Sequence, residues 1–200
     1  NTLFPMHLSD LLSVKIILAS QSPRRLQLIK QMGFEVVTTK IEVEEKAEEG
    51  LQDFELAEHL AKTKNHAYTL PIERGSVLVT ADTLVFVNGQ PLGKPCDKQQ
   101  AMHYLKILSG REHRVITACT LRSCHQETTF HSVAKVYFRT LSSEEINYYI
   151  DCFQPFDKAG SYGIQEWIGL TGIEKIDGDY YTIMGLPCNK LFSTLGQMKI

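Results

Sequence analysis

A short apolar run, Lys15–Ala19, leads through Ser20–Gln21 into Ser22–Pro23 and an amphipathic stretch that stops at Gly33. This junction constrains the fold most, because it prescribes a buried strand that turns straight into a helix. Ser22 suits the N-cap and Pro23 the first helical position, where a missing N–H costs nothing. Two arginines, Arg24 and Arg25, then occupy the helix start. A cation there opposes the helix dipole by about 0.3–1 kcal/mol, and an anion held at the helix start would make the placement favourable. The first-turn N–H groups favour an anion, and guanidinium forks bind phosphate bidentately. The alternative is that both arginines simply reach into solvent.

The pattern repeats downstream. Phe34–Thr39 predicts a second strand, and Asp53 predicts a cap for a helix with Leu56, Leu60, Ala61, Lys64 and Ala67 at helical spacing. Val77–Thr80 and Leu84–Val87 predict strands flanking "TADT", and Asn88–Gly89 predicts a tight hairpin. Asp97 caps a further helix up to Gly110. Val115–Leu121 and Thr129–Arg139 suggest an antiparallel pair, Ser142 and Glu145 form a capping box, and "GLP" at 185–187 opens a last helix. Strands and helices alternate early, and strands then cluster. This predicts an α/β protein with a mixed parallel and antiparallel twisted sheet flanked by helices. At 200 residues and 43% hydrophobic content, one domain over 1–200 accommodates these elements.

A net charge of −2 supplies no global basic field, which argues against wholesale binding to nucleic acid or to an anionic membrane. Five cysteines without CxxC or zinc spacing, no apolar run of about 20 residues and no basic-then-apolar leader predict a cytoplasmic protein.

Three stretches carry groups suited to phosphate chemistry. Asp82 in "TADT" follows an apolar strand, where a carboxylate can bind a metal, accept a proton from water or cap a turn with Thr83. Lys94, between glycine and proline in "LGKP", is held on a stiff loop that the hairpin returns toward Asp82. "DKAGSYGIQEWIG", 157–169, is glycine-rich and carries Gln165, whose amide both donates and accepts and so can read a nucleobase edge. An ordinary glycine-rich surface loop is the alternative.

"SQSPRR", "LAKTK" at 60–64, "TADT", "LGKP", "LSGR" at 108–111 and "DKAGSYGIQ" occur in the order and spacing of the Maf family of nucleoside triphosphate pyrophosphatases, which the chain resembles from Lys15 to Leu195. The resemblance implies a Maf/Ham1-like fold with a deep central cleft. It implies hydrolysis of a nucleoside triphosphate, dTTP or UTP or a modified pyrimidine nucleotide, to monophosphate and pyrophosphate with Mg²⁺ or Mn²⁺. It makes Asp82 the proton acceptor. Ser22, Arg24, Arg25, Lys64, Thr83, Lys94 and Gln165 become substrate-binding residues, with Arg24, Thr83 and Gln165 setting specificity. Asp82 and Glu45 become metal ligands, with Glu42 and Glu44 as alternatives to Glu45. It also implies a homodimer. A phosphate-recognising module or a regulator of cell division without essential catalysis is the rival reading.

Overall fold

The computed structural model describes residues 6–43, 51 and 53–200. The chain runs α1 (Leu8–Leu12), β1 (Lys15–Ala19), α2 (Pro23–Gln31), β2 (Glu35–Thr39), α3 (Phe54–His66), β3 (Ser76–Val87), β4 (Gln90–Leu92) and α4 (Lys98–Leu108). It continues through β5 (Glu112–Arg122), β6 (Glu127–Phe138), α5 (Ser143–Phe153), α6 (Trp167–Gly172), β7 (Ile173–Asp177), α7 (Tyr180–Met184) and α8 (Cys188–Leu195). The sheet of the described residues has seven strands in the order β2-β1-β3-β5-β6-β7, with β4 paired to β3. β1 is parallel to β2 and to β3, whereas the β3–β4 and β6–β7 pairs are antiparallel. The mixed α/β sheet flanked by helices is therefore as expected.

Two compact units divide the chain, one from Asn1–Asp82, Thr117–Ser132 and Gly185–Ile200, the other from Thr83–Ile116 and Val133–Met184. In the first, Ile16 and Leu18 of β1 and Val77 to Val79 of β3 are buried, as are Leu28 and Ile29 of α2 and Ala57, Leu60 and Ala61 of α3. β1 is the strand read at 15–19, and its pairing with β2 and β3 satisfies its backbone groups along both edges. In the second unit, Leu105 and Leu108 of α4, Val136 of β6 and Ile146, Tyr149 and Ile150 of α5 join one apolar cluster.

Local chemistry sets most element ends. Asn88 and Gly89 both adopt positive φ, 50° and 77°, which closes the β3–β4 hairpin with Val87 opposite Gln90. The Asp97 side chain accepts from the Gln100 N–H at 2.7 Å, and Ser142 and Glu145 form the reciprocal capping box.

Two expectations need correction. "TADT" is no break between two strands: β3 runs unbroken from Ser76 to Val87, with Asp82 in its interior. β-Branched Thr80 and Thr83 favour extended backbone, and the carboxylate is accommodated because a lysine meets it. Asp53 precedes α3 at φ 52°, and its side chain makes no capping hydrogen bond. Two 3₁₀ turns, Pro155–Asp157 and Ala159–Ser161, lead into the glycine-rich stretch and precede α6.

Candidate active site

The start of α2 is built around its own hydroxyls. Ser22 caps the helix, its Oγ accepting from the Arg25 N–H at 3.5 Å, and Pro23 takes the first position. The Arg25 guanidinium donates from Nε to the Gly185 carbonyl at 2.8 Å. Its Nη1 donates to the Ala81 carbonyl at 2.8 Å and to Ser20 Oγ at 3.3 Å. Charge-assisted hydrogen bonds of this type are worth about 1.5–3 kcal/mol, more than the unfavourable dipole placement costs. The carbonyl oxygens explain how Arg25 is tolerated at that position. Arg24, one residue earlier, is half-buried.

A second group forms where α3 packs on β3. Ala61, Lys64 and Asn65 share a helix face by their spacing, and Thr80 and Asp82 share a strand face by theirs. Lys64 Nζ donates to Asp82 Oδ1, and both side chains are largely buried, 20% and 12% exposed. The next residue tethers the helix: Asn65 Nδ2 donates to Thr80 Oγ1 at 3.2 Å and to the Thr120 carbonyl at 3.0 Å. Thr80 Oγ1 donates in turn to the Ala61 carbonyl at 2.8 Å. Asn65 and Thr80 are fully buried polar residues, and each is adjacent or next-but-one to a member of the ion pair. Neither was singled out in the sequence. The available signal was an asparagine at a core position of the apolar helix face.

The remaining candidates lie in the other unit. Thr83 is half-buried, while Lys94 and Gln165 are exposed. The Gly160 N–H donates to the Gly93 carbonyl at 3.1 Å, which joins the "LGKP" loop to the "DKAGS" segment. Gly160 has φ +69°, and a Cβ there would lie 3.1 Å from Val85, so glycine suits both the backbone and the space.

The acidic candidates for a metal are unequal. Glu42 is exposed and pairs with Lys40 at 2.7 Å, while Glu44 and Glu45 lie outside the described residues. Among the described residues no three His, Cys, Asp or Glu side chains cluster as a ready metal cage. Asp82 is nevertheless a hard oxygen donor at a largely buried position. Mg²⁺ is commonly held by only one or two carboxylates together with substrate phosphates, and that mode fits this donor.

A family model for Maf-like proteins matches residues 15–198. The chain belongs to the Maf family. It is 44% identical over 192 residues to a Bacteroides fragilis protein named dTTP/UTP pyrophosphatase, across 96% of this chain and 100% of that one. A Bacteroides thetaiotaomicron protein of the same name is 42% identical over the same shares. The solved structure of the Staphylococcus aureus Ham1 protein aligns with 62% of this chain and 71% of that chain, at 15% identity and a TM-score of 0.44. In this Maf chain the matched region contains every motif from "SQSPRR" to "DKAGSYGIQ". No helix among the described residues is long and apolar enough to cross a membrane.

Proposed function

We infer that this Maf chain is a dTTP/UTP pyrophosphatase, releasing the nucleoside monophosphate and pyrophosphate, a reaction suited to clearing nucleotides from the pool. The observation that carries the mechanism is the Lys64–Asp82 pair at the contact of α3 with β3. A water oxygen bonds to the α-phosphorus as the α–β anhydride bond breaks, and pyrophosphate leaves with the bridging oxygen. Asp82 accepts the proton of that water, a role typically worth about 10²–10⁴-fold in rate. Lys64 holds the carboxylate in place and sets a cation beside the reacting phosphate. Arg24 and Lys94 add charge for the polyphosphate, and Ser22 offers a hydroxyl at the helix start. Arg25 anchors β3 one residue before Asp82 through the Ala81 carbonyl. Asp82 and Glu45, or Glu42 or Glu44 in place of Glu45, would hold Mg²⁺ or Mn²⁺ together with the substrate, and the ion would supply charge neutralisation.

Base choice falls to Gln165, with Thr83 bounding the pocket and Arg24 contributing to specificity. Uracil and thymine present an N3–H flanked by carbonyls, to which one amide is complementary. Cytosine lacks that proton, and the unpaired polar group costs about 1–3 kcal/mol, roughly ten- to a hundredfold in discrimination. The same reading takes modified pyrimidine nucleotides as further substrates, and includes a homodimer and a cytoplasmic setting, for which the family is the support.

A screen of common and modified triphosphates with Mg²⁺ tests this function. It should show pyrophosphate release from dTTP and UTP well ahead of CTP and the purine triphosphates, with every signal extinguished by chelator. Absence of release from any triphosphate contradicts the function, and release that survives the chelator contradicts the metal requirement.

A further inference from the structure

Gln165 projects from a turn whose other members are held from beneath. Tyr162, Gly163 and Ile164 are buried, Glu166 is half-buried, and Gln165 alone of the five is exposed. The Glu166 N–H donates to the Gly163 carbonyl at 3.0 Å and closes the turn around it. Both flanks are then fixed by one tyrosine. The Tyr149 hydroxyl of α5 accepts from the Gly163 N–H at 3.0 Å and donates its own proton to Glu166 Oε2. The other carboxylate oxygen, Glu166 Oε1, lies 3.1 Å from Lys158 Nζ, which also bonds Asp157 Oδ1 at 2.6 Å.

Close packing enforces this arrangement. A Cβ on Gly163 would lie 2.7 Å from Glu166 Cδ and 2.9 Å from each of its oxygens, so the carboxylate occupies the space that any other residue would need. A Cβ on Gly169, in α6, would fall 1.8 Å from the Ile164 carbonyl oxygen. Lys158 is only 9% exposed at its side chain and Glu166 18%, so the charge pair is shielded from water on a unit otherwise packed with apolar groups. Removing either partner would leave a buried charge without its counterpart, which is why such a pair specifies one geometry.

We propose that Tyr149, Glu166 and Lys158 form a positioning clamp for Gln165, setting the enzyme's preference for uracil and thymine over cytosine without touching the base themselves. The inference rests on the reading of Gln165 as the base-reading residue. A side chain that must discriminate by one or two hydrogen bonds needs its backbone held to within about 0.5 Å, and a clamp on Gly163 before it and Glu166 after it provides this.

The test compares kcat/KM for UTP and CTP in the parent, Gln165→Ala, Tyr149→Phe, Glu166→Gln and the double variant Gln165→Ala/Tyr149→Phe. Tyr149→Phe keeps the ring and removes the hydroxyl that serves both flanks; Glu166→Gln keeps the volume and removes the charge that Lys158 requires. Each should lower the UTP/CTP ratio by about two- to tenfold, the effect of one lost or misplaced hydrogen bond, mainly through a higher KM for UTP. The double variant should discriminate no worse than Gln165→Ala alone, since the clamp acts only through Gln165. An unchanged ratio in Tyr149→Phe and Glu166→Gln, alongside a lowered one in Gln165→Ala, overturns the clamp and leaves the base reading standing. A further fall in the double variant also overturns it. An unchanged ratio in Gln165→Ala overturns the base reading itself and the clamp with it. Should Tyr149→Phe not fold, the Glu166→Gln ratio decides.

Discussion

Arg25 Nη1 donates to the Ala81 carbonyl at 2.8 Å, one peptide bond before Asp82. With Nε on the Gly185 carbonyl, this arginine ties the start of α2 to β3 and to the chain leading into α8. A helix start that should reject a cation thus gains a cross-link beside Asp82.

Arg25→Lys keeps the charge but replaces a planar fork with a single point donor, which cannot serve Ser20, Ala81 and Gly185 together. The expected result is a loss of about 1–3 kcal/mol of stability in urea unfolding, accompanied by reduced pyrophosphate release. Equal stability of parent and variant would show that the cross-link is incidental.

His113 makes stability depend on pH. It is 2% exposed, stacked on Phe138 with its Nε2 2.7 Å from the Tyr162 hydroxyl, and burial pushes its pKa down to about 3 against the opposing pull of Glu112. The unfolded chain, with an ordinary histidine near 6.5, binds this proton while the native chain does not. The contribution is therefore fully present above about pH 6.5 and is lost as pH falls toward 3, with a slope of up to about 1.4 kcal/mol per pH unit. Unfolding free energies measured at intervals between neutral pH and about pH 4 should fall less steeply in His113→Gln, which keeps a polar partner for Tyr162. Parallel profiles would contradict this account.

Local signals and distant contacts were legible to different degrees. The Asn88–Gly89 hairpin, the Asp97 cap and the Ser142–Glu145 box each depend on residues no more than three apart, so their chemistry is visible in the sequence itself. The Asn65–Thr80 tether spans 15 positions and exists only once α3 packs on β3. "TADT" reads as a turn because Asp is common in turns and rare inside strands. Its extended conformation becomes evident only when Lys64 supplies the counter-charge that lets Asp82 sit inside a strand. The Gln165 turn was visible as glycines, but its hold on Tyr149 is a contact across 14 residues from another helix. The family motifs marked both Lys64 and Asp82, which lie 18 positions apart and which periodicity alone does not pair.

The most direct measurement of the central claim is pyrophosphate release from UTP by the parent and by Asp82→Asn at saturating Mg²⁺. Asparagine keeps the size of the side chain and an oxygen to accept from Lys64, so the variant should fold as the parent does, checked by circular dichroism. Its turnover should fall by about 10²–10⁴-fold, the contribution expected of a positioned base. Turnover near the parent level in a folded Asp82→Asn protein would contradict the account, because the proton would then go to another group.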